Sequence, residues 1–273
     1  MKESIVVNFL YRTILGRFFL KFLTQPCVSR QMTRFLDSKI SAWMIPFFIK
    51  KHQIDMSQYP STRYQSFNAF FTRKRCKIYF EEKQNNFLYS PCDGWLSIYR
   101  IEPSNIFKIK RAKYSVQQLL RDSNLADKYT NGFCYIFRLT PQHYHRYNYV
   151  CSGKTSATRQ INGILHCVRP VAYGRRPVYT ENSRSYEIIH SNVFGDIIQM
   201  EVGALMIGKI CNFPHELYVN GGQEKGFFSF GGSTIILLVQ KEKINIPNEL
   251  TPAFYQEIPI RQDDIIGYIQ PRG

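Results

Sequence analysis

The stretch that decides the fold runs from Phe230 to Gln240 and reads FGGSTIILLVQ. Its second half, Thr234 to Gln240, is a short continuous apolar run, which predicts a strand buried on both faces. Its first half places two glycines before a serine, which is typical of a tight turn. Gly132 to Leu139 and Asp196 to Cys211 are apolar runs of the same kind and are also predicted strands. The body of the protein after residue 85 is therefore predicted to be β-rich.

The N-terminal part has a helical pattern instead. From Ile5 to Leu23 apolar residues recur at helical spacing and basic residues lie off the apolar stripe, which predicts a basic amphipathic helix ended by Pro26. This helix either packs on the domain or lies in the headgroup region of a membrane. Residues 34–51 continue the helical pattern, and Pro46 is expected to bend them. Another short helix is predicted after Tyr114-Ser115.

Together these segments predict an α+β fold, with a helical N-terminal part leading into a single mixed β-rich core. We expect residues 1–60 to form an amphipathic, membrane-facing region and residues 61–273 to form the main domain. A parallel βαβ series is not expected, because predicted helices and strands do not alternate along the chain.

Composition restricts the partners. Lysine and arginine outnumber aspartate and glutamate by 36 to 20, so the formal charge of +16 favours a polyanion. The basic residues are spread among large apolar residues rather than gathered in a tail, which favours an anionic membrane over nucleic acid. The seven cysteines include no CxxC pair, so we expect reduced thiols on the cytoplasmic side, without a disulfide framework or a zinc site. No apolar stretch is long enough for a spanning helix, and a peripheral protein on the cytoplasmic face of the membrane is expected.

The Gly232–Ser233 bond has a chemical as well as a conformational interpretation. A phosphate-binding loop is disfavoured because no GK[ST] follows, and a hydrolase nucleophile elbow is disfavoured because Ile235 stands where GxSxG requires glycine. A serine hydroxyl in a strained Gly-Ser turn can instead attack the preceding carbonyl. The resulting ester is open to elimination and hydrolysis, which leaves a pyruvoyl group on the new N-terminus. From these residues alone, an ordinary turn remains an alternative.

Two further segments carry titratable groups. His143 and His145 follow a predicted strand, and they suit general acid or base catalysis better than metal binding, because no third ligand has a suitable spacing. Surface or core histidines without a special role remain an alternative. Asp93-Gly94 is by itself only a turn signal.

Taken in order, these segments resemble the phosphatidylserine decarboxylase family. The resemblance covers roughly residues 60 to 270 and rests on several motifs in register. They are Pro91-Cys92-Asp93-Gly94, Tyr144-His145-Arg146, Gly232-Ser233-Thr234, Phe67 to Lys74 (the family's FNDFFTRK), Tyr114-Ser115 with Leu119-Leu120, Val202-Gly203-Ala204 with Gly208-Lys209-Ile210, and Glu224-Lys225-Gly226.

The resemblance implies a self-processing proenzyme. Cleavage at Gly232–Ser233 would leave a β chain of residues 1–232 and an α chain of residues 233–273, which remain associated. Ser233 would become a covalent pyruvoyl cofactor that forms a Schiff base with phosphatidylserine and releases carbon dioxide and phosphatidylethanolamine. Asp93 matches the acidic residue of the processing apparatus, and His145 matches the histidine implicated in the reaction on the lipid. The implied catalytic residues are Asp93, His145 and Ser233, with no metal.

The sequence departs from the family's Asp-Tyr-His-Arg-x-His pattern at two positions. His143 replaces the aspartate, and Asn148 replaces the second histidine, the usual partner of the acidic residue. Because asparagine does not accept a proton at neutral pH, we expect His145 to serve as the processing base, with His143 or His166 in reserve.

Other functions stay open at this level. A decarboxylase of a related serine lipid shares every motif above. A Ser-His-Asp hydrolase would use Asp93, His145 and Ser233 in an uncut chain. An unprocessed basic membrane-binding homologue without activity is a third alternative, and the sequence also leaves a homodimer open.

Overall fold

A computed structural model gives the fold of the 273-residue chain. It describes residues 26–76, 83–168, 177–204, 209–230 and 233–269, together with isolated positions 9, 13, 15, 16, 18, 19 and 172. The amphipathic helix predicted from Ile5 to Leu23 therefore lies mostly outside the described residues. Among the described residues, no helix is both long and apolar enough to cross a bilayer.

The helices of the described residues are short, and the first three precede the main sheet in the chain. They are α1 (Pro26–Asp37), α2 (Met44–His52), α3 (Phe67–Phe71), α4 (Val116–Leu120), α5 (Ser123–Asp127) and α6 (Val178–Glu181), with 3₁₀ segments at Lys39–Trp43 and Asn248–Phe254. The helix predicted after Tyr114-Ser115 is confirmed as α4. The Ser115 hydroxyl accepts a hydrogen bond from the backbone N–H of Gln118 and so caps its first turn.

The strands form one large sheet and three small ones. Their bounds are β1 (Phe87–Tyr89), β2 (Gly94–Arg100), β3 (Ile106–Ile109), β4 (Ala112–Ser115), β5 (Phe133–Leu139), β6 (Arg146–Asn148), β7 (Gly153–Thr155), β8 (Arg159–Ile161), β9 (Arg184–Ser191), β10 (Gly195–Gly203), β11 (Ile210–Asn212), β12 (Tyr218–Val219), β13 (Glu224–Phe228), β14 (Ser233–Val239), β15 (Ile258–Ile260) and β16 (Ile265–Tyr268). The nine-stranded sheet has the order β12-β7-β9-β10-β14-β5-β2-β15, and β8 pairs with β9. The smaller sheets are β11-β13-β6, β1-β16 and β3-β4.

Strand β14 lies inside the large sheet, as its apolar sequence predicts. All seven of its residues are buried, and it pairs antiparallel with β10 on one side and β5 on the other. Its two faces contribute to separate apolar clusters, with Ile236 and Leu238 in one and Ile235 and Leu237 in the other. Burial on both faces explains why the strand shows no alternation of polar and apolar residues.

The α+β class is confirmed, and two finer predictions about the strands are corrected. The named strand pairs are all antiparallel, whereas a mixed core was predicted. The segment Asp196 to Cys211 is not one strand, because β10 ends at Gly203 and β11 belongs to a different sheet. The apolar run continues across this change of sheet, so hydrophobicity alone gives no sign of the break.

The N-terminal helices pack against the body through aromatic side chains. Phe48 of α2 contacts the rings of Phe67, Phe71 and Phe230, and Leu36 of α1 joins the same cluster. The bend predicted at Pro46 is wrong, because the helical region breaks earlier, in the 3₁₀ segment that precedes α2. Pro46 lies in the first turn of α2, where a missing N–H breaks no helical hydrogen bond.

Candidate active site

The candidate site lies where β14 begins. In the sheet register Ser233 stands opposite Gly203 at the end of β10 and opposite Leu139 at the end of β5. The chain after Leu139 turns through His143 and His145 before it enters β6. The backbone N–H of Phe228 donates to the carbonyl of His145 at 2.9 Å, which places the segment leading to Ser233 beside that histidine.

Ser233 has a buried hydroxyl without a hydrogen-bond partner among the described residues. The residue is fully buried, and the neighbouring Thr234 hydroxyl is in the same state. A buried hydroxyl that makes no hydrogen bond costs about 1–3 kcal/mol, and folded proteins rarely leave one so. An unpartnered hydroxyl at the edge of the described segment is available for chemistry, whereas a purely structural serine would be expected to be bonded.

His145 is also fully buried, and its hydrogen bonds fix its tautomer. Nδ1 lies 2.9 Å from the carbonyl oxygen of His143, which can only accept, so Nδ1 carries the proton. Nε2 therefore carries no proton. Its lone pair is buried and has no hydrogen-bond partner among the described residues. Burial lowers the pKa of His145 to about 3, and the ring packs at 4.0 Å from the ring of Phe71. The imidazole is therefore neutral at physiological pH and presents a proton acceptor.

His143 has the opposite tautomer. Its Nδ1 accepts from the backbone N–H of Thr140 at 3.0 Å, so in the neutral ring the proton is on Nε2. Burial lowers the pKa of His143 to about 4, although attraction to Asp93 opposes this shift and the nearby Arg138 adds to it. His143 is therefore a neutral group within the electrostatic reach of Asp93.

Asp93 is held by groups that the sequence analysis did not identify. Its Oδ2 lies 2.5 Å from Nη2 of Arg75, and its Oδ1 accepts from the backbone N–H of Gln262 at 2.9 Å. The Arg75 guanidinium also lies 4.4 Å from the ring centre of Tyr144. Burial lowers the pKa of Arg75, but the charge and hydrogen bond of Asp93, together with Tyr59 and Tyr144, outweigh burial, so the net shift is upward. Asp93 thus has both oxygens occupied and makes no hydrogen bond to a described histidine.

Asn148 and His166 lie at other edges of this region. The backbone N–H of Asn148 donates to the carbonyl of Pro91 at 2.9 Å, so position 148 lies beside the turn that carries Asp93. His166 is joined through its backbone to the side chain of the buried Asn182, which also donates to the carbonyl of Gly203 at 2.7 Å. Through Asn182, His166 is thus linked to the residue opposite Ser233.

The predicted residues therefore come from distant parts of the chain into one region, but they do not form a hydrolase triad. A Ser-His-Asp triad requires the aspartate to bond the histidine Nδ1–H. Here the Nδ1–H of His145 donates to a backbone carbonyl, and Asp93 accepts from other groups.

Sequence analysis missed several residues that fix this region. Arg75 and Gln262 hold Asp93, and Asn182 bonds the carbonyl of Gly203. Lys225 was recognised in a motif, but its buried partners Glu187 and Glu201 were not. These contacts join residues far apart in the chain, and the only local signal was Arg75 directly after the TRK motif.

The sequence profile described as phosphatidylserine decarboxylase matches residues 67–261, which is more than half of the chain. The chain belongs to the phosphatidylserine decarboxylase family. The matched range contains Asp93, His145 and Ser233, and it leaves helices α1 and α2 outside.

Curated relatives within the family support this membership over most of the chain. The phosphatidylserine decarboxylase proenzyme 2 of Clostridium acetobutylicum is 42% identical over 247 residues, which cover 89% of this chain and 84% of that protein. The phosphatidylserine decarboxylase proenzyme of Ruminiclostridium cellulolyticum is 38% identical over 255 residues, covering 90% and 84% of the two chains. That of Clostridium tetani is 37% identical over 252 residues, covering 89% and 81%. The resemblance inferred from the motifs is thus confirmed.

Proposed function

We propose that this chain is a self-cleaving proenzyme that converts phosphatidylserine to phosphatidylethanolamine and carbon dioxide, with a pyruvoyl group derived from Ser233. The observation that carries the proposal is the fully buried, unpartnered Ser233 hydroxyl, in a member of the decarboxylase family and in the same region as the bare Nε2 of His145. A decarboxylase of a related serine lipid would share this site, but the relatives' names favour phosphatidylserine.

Processing begins with transfer of a proton from the Ser233 hydroxyl to Nε2 of His145. The serine oxygen bonds the carbonyl carbon of Gly232, the C–N bond breaks, and the proton passes to the released amine. Elimination then frees the Gly232 carboxylate, and hydrolysis with loss of ammonia leaves a ketone on residue 233. The low pKa of His145 keeps its lone pair available, while its burial restricts water from competing for the ester.

Asp93 acts in this scheme as a positioning group rather than as the direct partner of the base. Its ion pair with Arg75 fixes the carboxylate, whose charge opposes the burial-driven fall in the pKa of His143. His143 in turn holds the ring of His145 through its carbonyl oxygen. Asp93 therefore acts on the base, His145, through His143.

The buried position of the Ser233 hydroxyl fits a pyruvoyl group formed from this residue. When formed, a pyruvoyl group supplies an electron sink for loss of carbon dioxide from an amino acid. His145 has a single buried acceptor atom, which can take up a proton transiently and return it to the carbon that loses the carboxylate. The apolar wall formed by Phe71 and Phe230 packs beside this histidine and would exclude water.

The N-terminal region, residues 1–60, is proposed to dock on the cytoplasmic face of the membrane. Ile40, Trp43 and Phe47 are exposed large apolar side chains, with the rings of Trp43 and Phe47 6.0 Å apart. Lys50 and Lys51 lie in the last turn of α2, which also carries Phe47, and the net charge of +16 attracts an anionic leaflet. Vesicle flotation would test this: a Trp43→Ala, Phe47→Ala double variant should bind phosphatidylserine vesicles less than a variant changed at exposed Tyr255.

Intact-mass analysis tests the proposed function. Freshly purified protein should give two fragments that divide before Ser233, with the smaller one blocked at its N-terminus, and should release labelled carbon dioxide from carboxyl-labelled phosphatidylserine. Ser233→Ala should remain one chain, whereas Ser229→Ala, a buried serine in the same lead-in segment, should still be cleaved. Folded protein that stays uncut and releases no carbon dioxide would overturn the proposal.

The role of His145 has its own test. His145→Ala should stop cleavage while His166→Ala should not, because only the former removes the acceptor assigned to the Ser233 proton. Normal cleavage of His145→Ala together with failure of Asp93→Ala would show that a different base is used.

A further inference from the structure

A large cavity lies between helix α1 and the end of the main sheet. Its volume is about 1180 Å³, and Arg34 of α1 faces across it to the β11 segment that begins near Lys209. The start of β9 forms another wall, through Ser183 and Ser185. The catalytic scheme above uses none of these residues.

The charged side chains that line the cavity are cationic. Arg34 and Lys209 are exposed and make no ion pair with any carboxylate in the described part of the chain. No aspartate or glutamate is among the described residues that line it. Elsewhere in the described part, cations such as Arg75 and Arg146 are paired with carboxylates. Two unneutralised cations facing one cavity favour an anionic ligand.

The third basic side chain in the wall, Arg184, is not available to a ligand. Arg184 is buried and donates to the backbone carbonyls of Leu119, Gln118, Thr180 and Asn182. Its charge adds to the local potential while its hydrogen bonds hold the wall in place. Apolar side chains, including Ile161, Leu165 and Phe213, complete the lining. The cavity thus combines a cationic part with an apolar part, which suits an amphipathic anion.

A buried ionic network makes this wall rigid. Lys225 lies 2.9 Å from both oxygens of Glu201 and 3.6 Å from Glu187, and all three side chains are fully buried. The cavity-lining Asn212 donates to Glu201 at 3.3 Å, and the cavity-lining Thr158 donates to Glu187 at 2.5 Å. Polar groups of the wall are therefore held by partners behind it, as a preorganised binding site requires.

The cavity lies close to the proposed reaction centre. The carbonyl of Ser183, in its wall, accepts from the backbone N–H of Gly203 at 2.9 Å, and Gly203 stands opposite Ser233. Two strand spacings amount to about 10 Å, so a headgroup that reaches residue 233 can place its phosphate and glycerol in the cavity.

We propose that this cavity is the subsite for the phosphodiester and glycerol of the lipid substrate, with Arg34 and Lys209 binding the phosphate. The apolar part of the wall then faces the glycerol and the first carbons of the acyl chains. This inference rests on the proposed function, since it names the part of the substrate that each side chain binds.

Cys211 provides a direct binding readout. It is half-buried in the cavity lining, and Lys209 is near enough for its charge to oppose the burial-driven rise in the pKa of the Cys211 thiol. Cys76 is an exposed thiol that does not line the cavity, so it serves as an internal control. Alkylation at about pH 8.5, read cysteine by cysteine through peptide mass spectrometry, would compare the two in one sample.

The probes are dihexanoyl phosphatidylserine below its micellar concentration and inorganic phosphate at the same concentration. At about ten times its Kd, the lipid should slow alkylation of Cys211 roughly tenfold, because only the unoccupied fraction of the protein reacts, and it should leave Cys76 unchanged. Equal protection by phosphate would overturn the assignment to lipid, and no protection by either would overturn the subsite.

Two variants connect binding to catalysis. Arg34→Ala and Lys209→Ala should each raise the KM for this lipid roughly tenfold with little change in kcat, whereas Lys113→Ala, an exposed cation outside the lining, should change neither. An unchanged KM in both cavity variants would overturn the assignment of these cations. Protection of Cys211 without carbon dioxide release would instead count against the proposed function alone.

Discussion

Replacing Lys225 with methionine should cause the largest loss of stability among the charged positions. The ammonium group lies between the carboxylates of Glu201 and Glu187, and none of the three side chains is exposed. Methionine keeps most of the volume and removes the charge. The two carboxylates would then be buried without their ammonium partner, and Glu187 would keep only the hydroxyls of Tyr149 and Thr158 and the imidazole of His215.

The size of the stability loss expected for Lys225→Met follows from the burial of the ion pair. Breaking a buried ion pair from one side costs about 3–5 kcal/mol, a large share of the about 5–15 kcal/mol by which a typical domain is stable. Burial already raises the pKa of Glu201 above 4.5 even though Lys225 opposes it. Loss of Lys225 raises that pKa further, so the folded state binds more protons than the unfolded state above pH 4.5. Stability of the variant should therefore fall as pH rises from 4.5.

Urea unfolding in a Ser233→Ala background would measure this effect on one uncut chain. Lys225→Met should lose more stability at about pH 8 than at about pH 5, and adding Glu201→Gln should recover part of the loss. Lys241→Met, at a surface pair with Glu242, should cause no measurable loss. A loss below about 1 kcal/mol at both pH values, or a larger loss at the lower pH, would refute the reasoning.

Three other predictions concern the site. Asn148→His should speed cleavage, measured by intact mass over time, because position 148 lies beside the turn of Asp93 and would gain a base; slower cleavage would contradict this. In an uncut chain, the free energy of unfolding should fall as the pH is lowered from 6.5 to about 3, because the unfolded state binds a proton that the buried ring of His145 does not. His145→Gln should make this fall shallower. An unchanged slope of stability against pH would disprove the low pKa. Arg75→Met should raise the pKa of His143 from about 4 in NMR titration, because the charge of Asp93 loses its partner; a fall would show that Asp93 does not act on His143.

The sequence predicted the fold best where local signals and tertiary environment agree. The run after Ser233 is apolar at every position because β14 is buried on both faces, and Ser115 caps the helix that its motif indicates. The prediction failed from Asp196 to Cys211, because the change of sheet after Gly203 leaves the hydrophobic pattern unaltered. The bend assigned to Pro46 failed because proline is tolerated in a first turn.

The site could be predicted in its residues but not in its contacts. The motifs identified Asp93, His145 and Ser233, and their roles remain proposals. The partners of Asp93 are Arg75 and Gln262, which are 18 and 169 positions away in the chain. The tautomer of His145 depends on a single backbone carbonyl. Such contacts depend on tertiary geometry, which no local pattern encodes.

The interior position of β14 has a consequence for the lifetime of the enzyme. Its residues are hydrogen-bonded to strands on both sides, so a cut before Ser233 would leave the ladders to β10 and β5 in place. The peptide bond that joined this strand to the rest of the chain during folding would nevertheless be lost. Reassembly after denaturation would then require two polypeptides to meet, and its yield would depend on protein concentration. A mature molecule would thus persist through slow unfolding, and once unfolded it would be replaced by new synthesis rather than recovered.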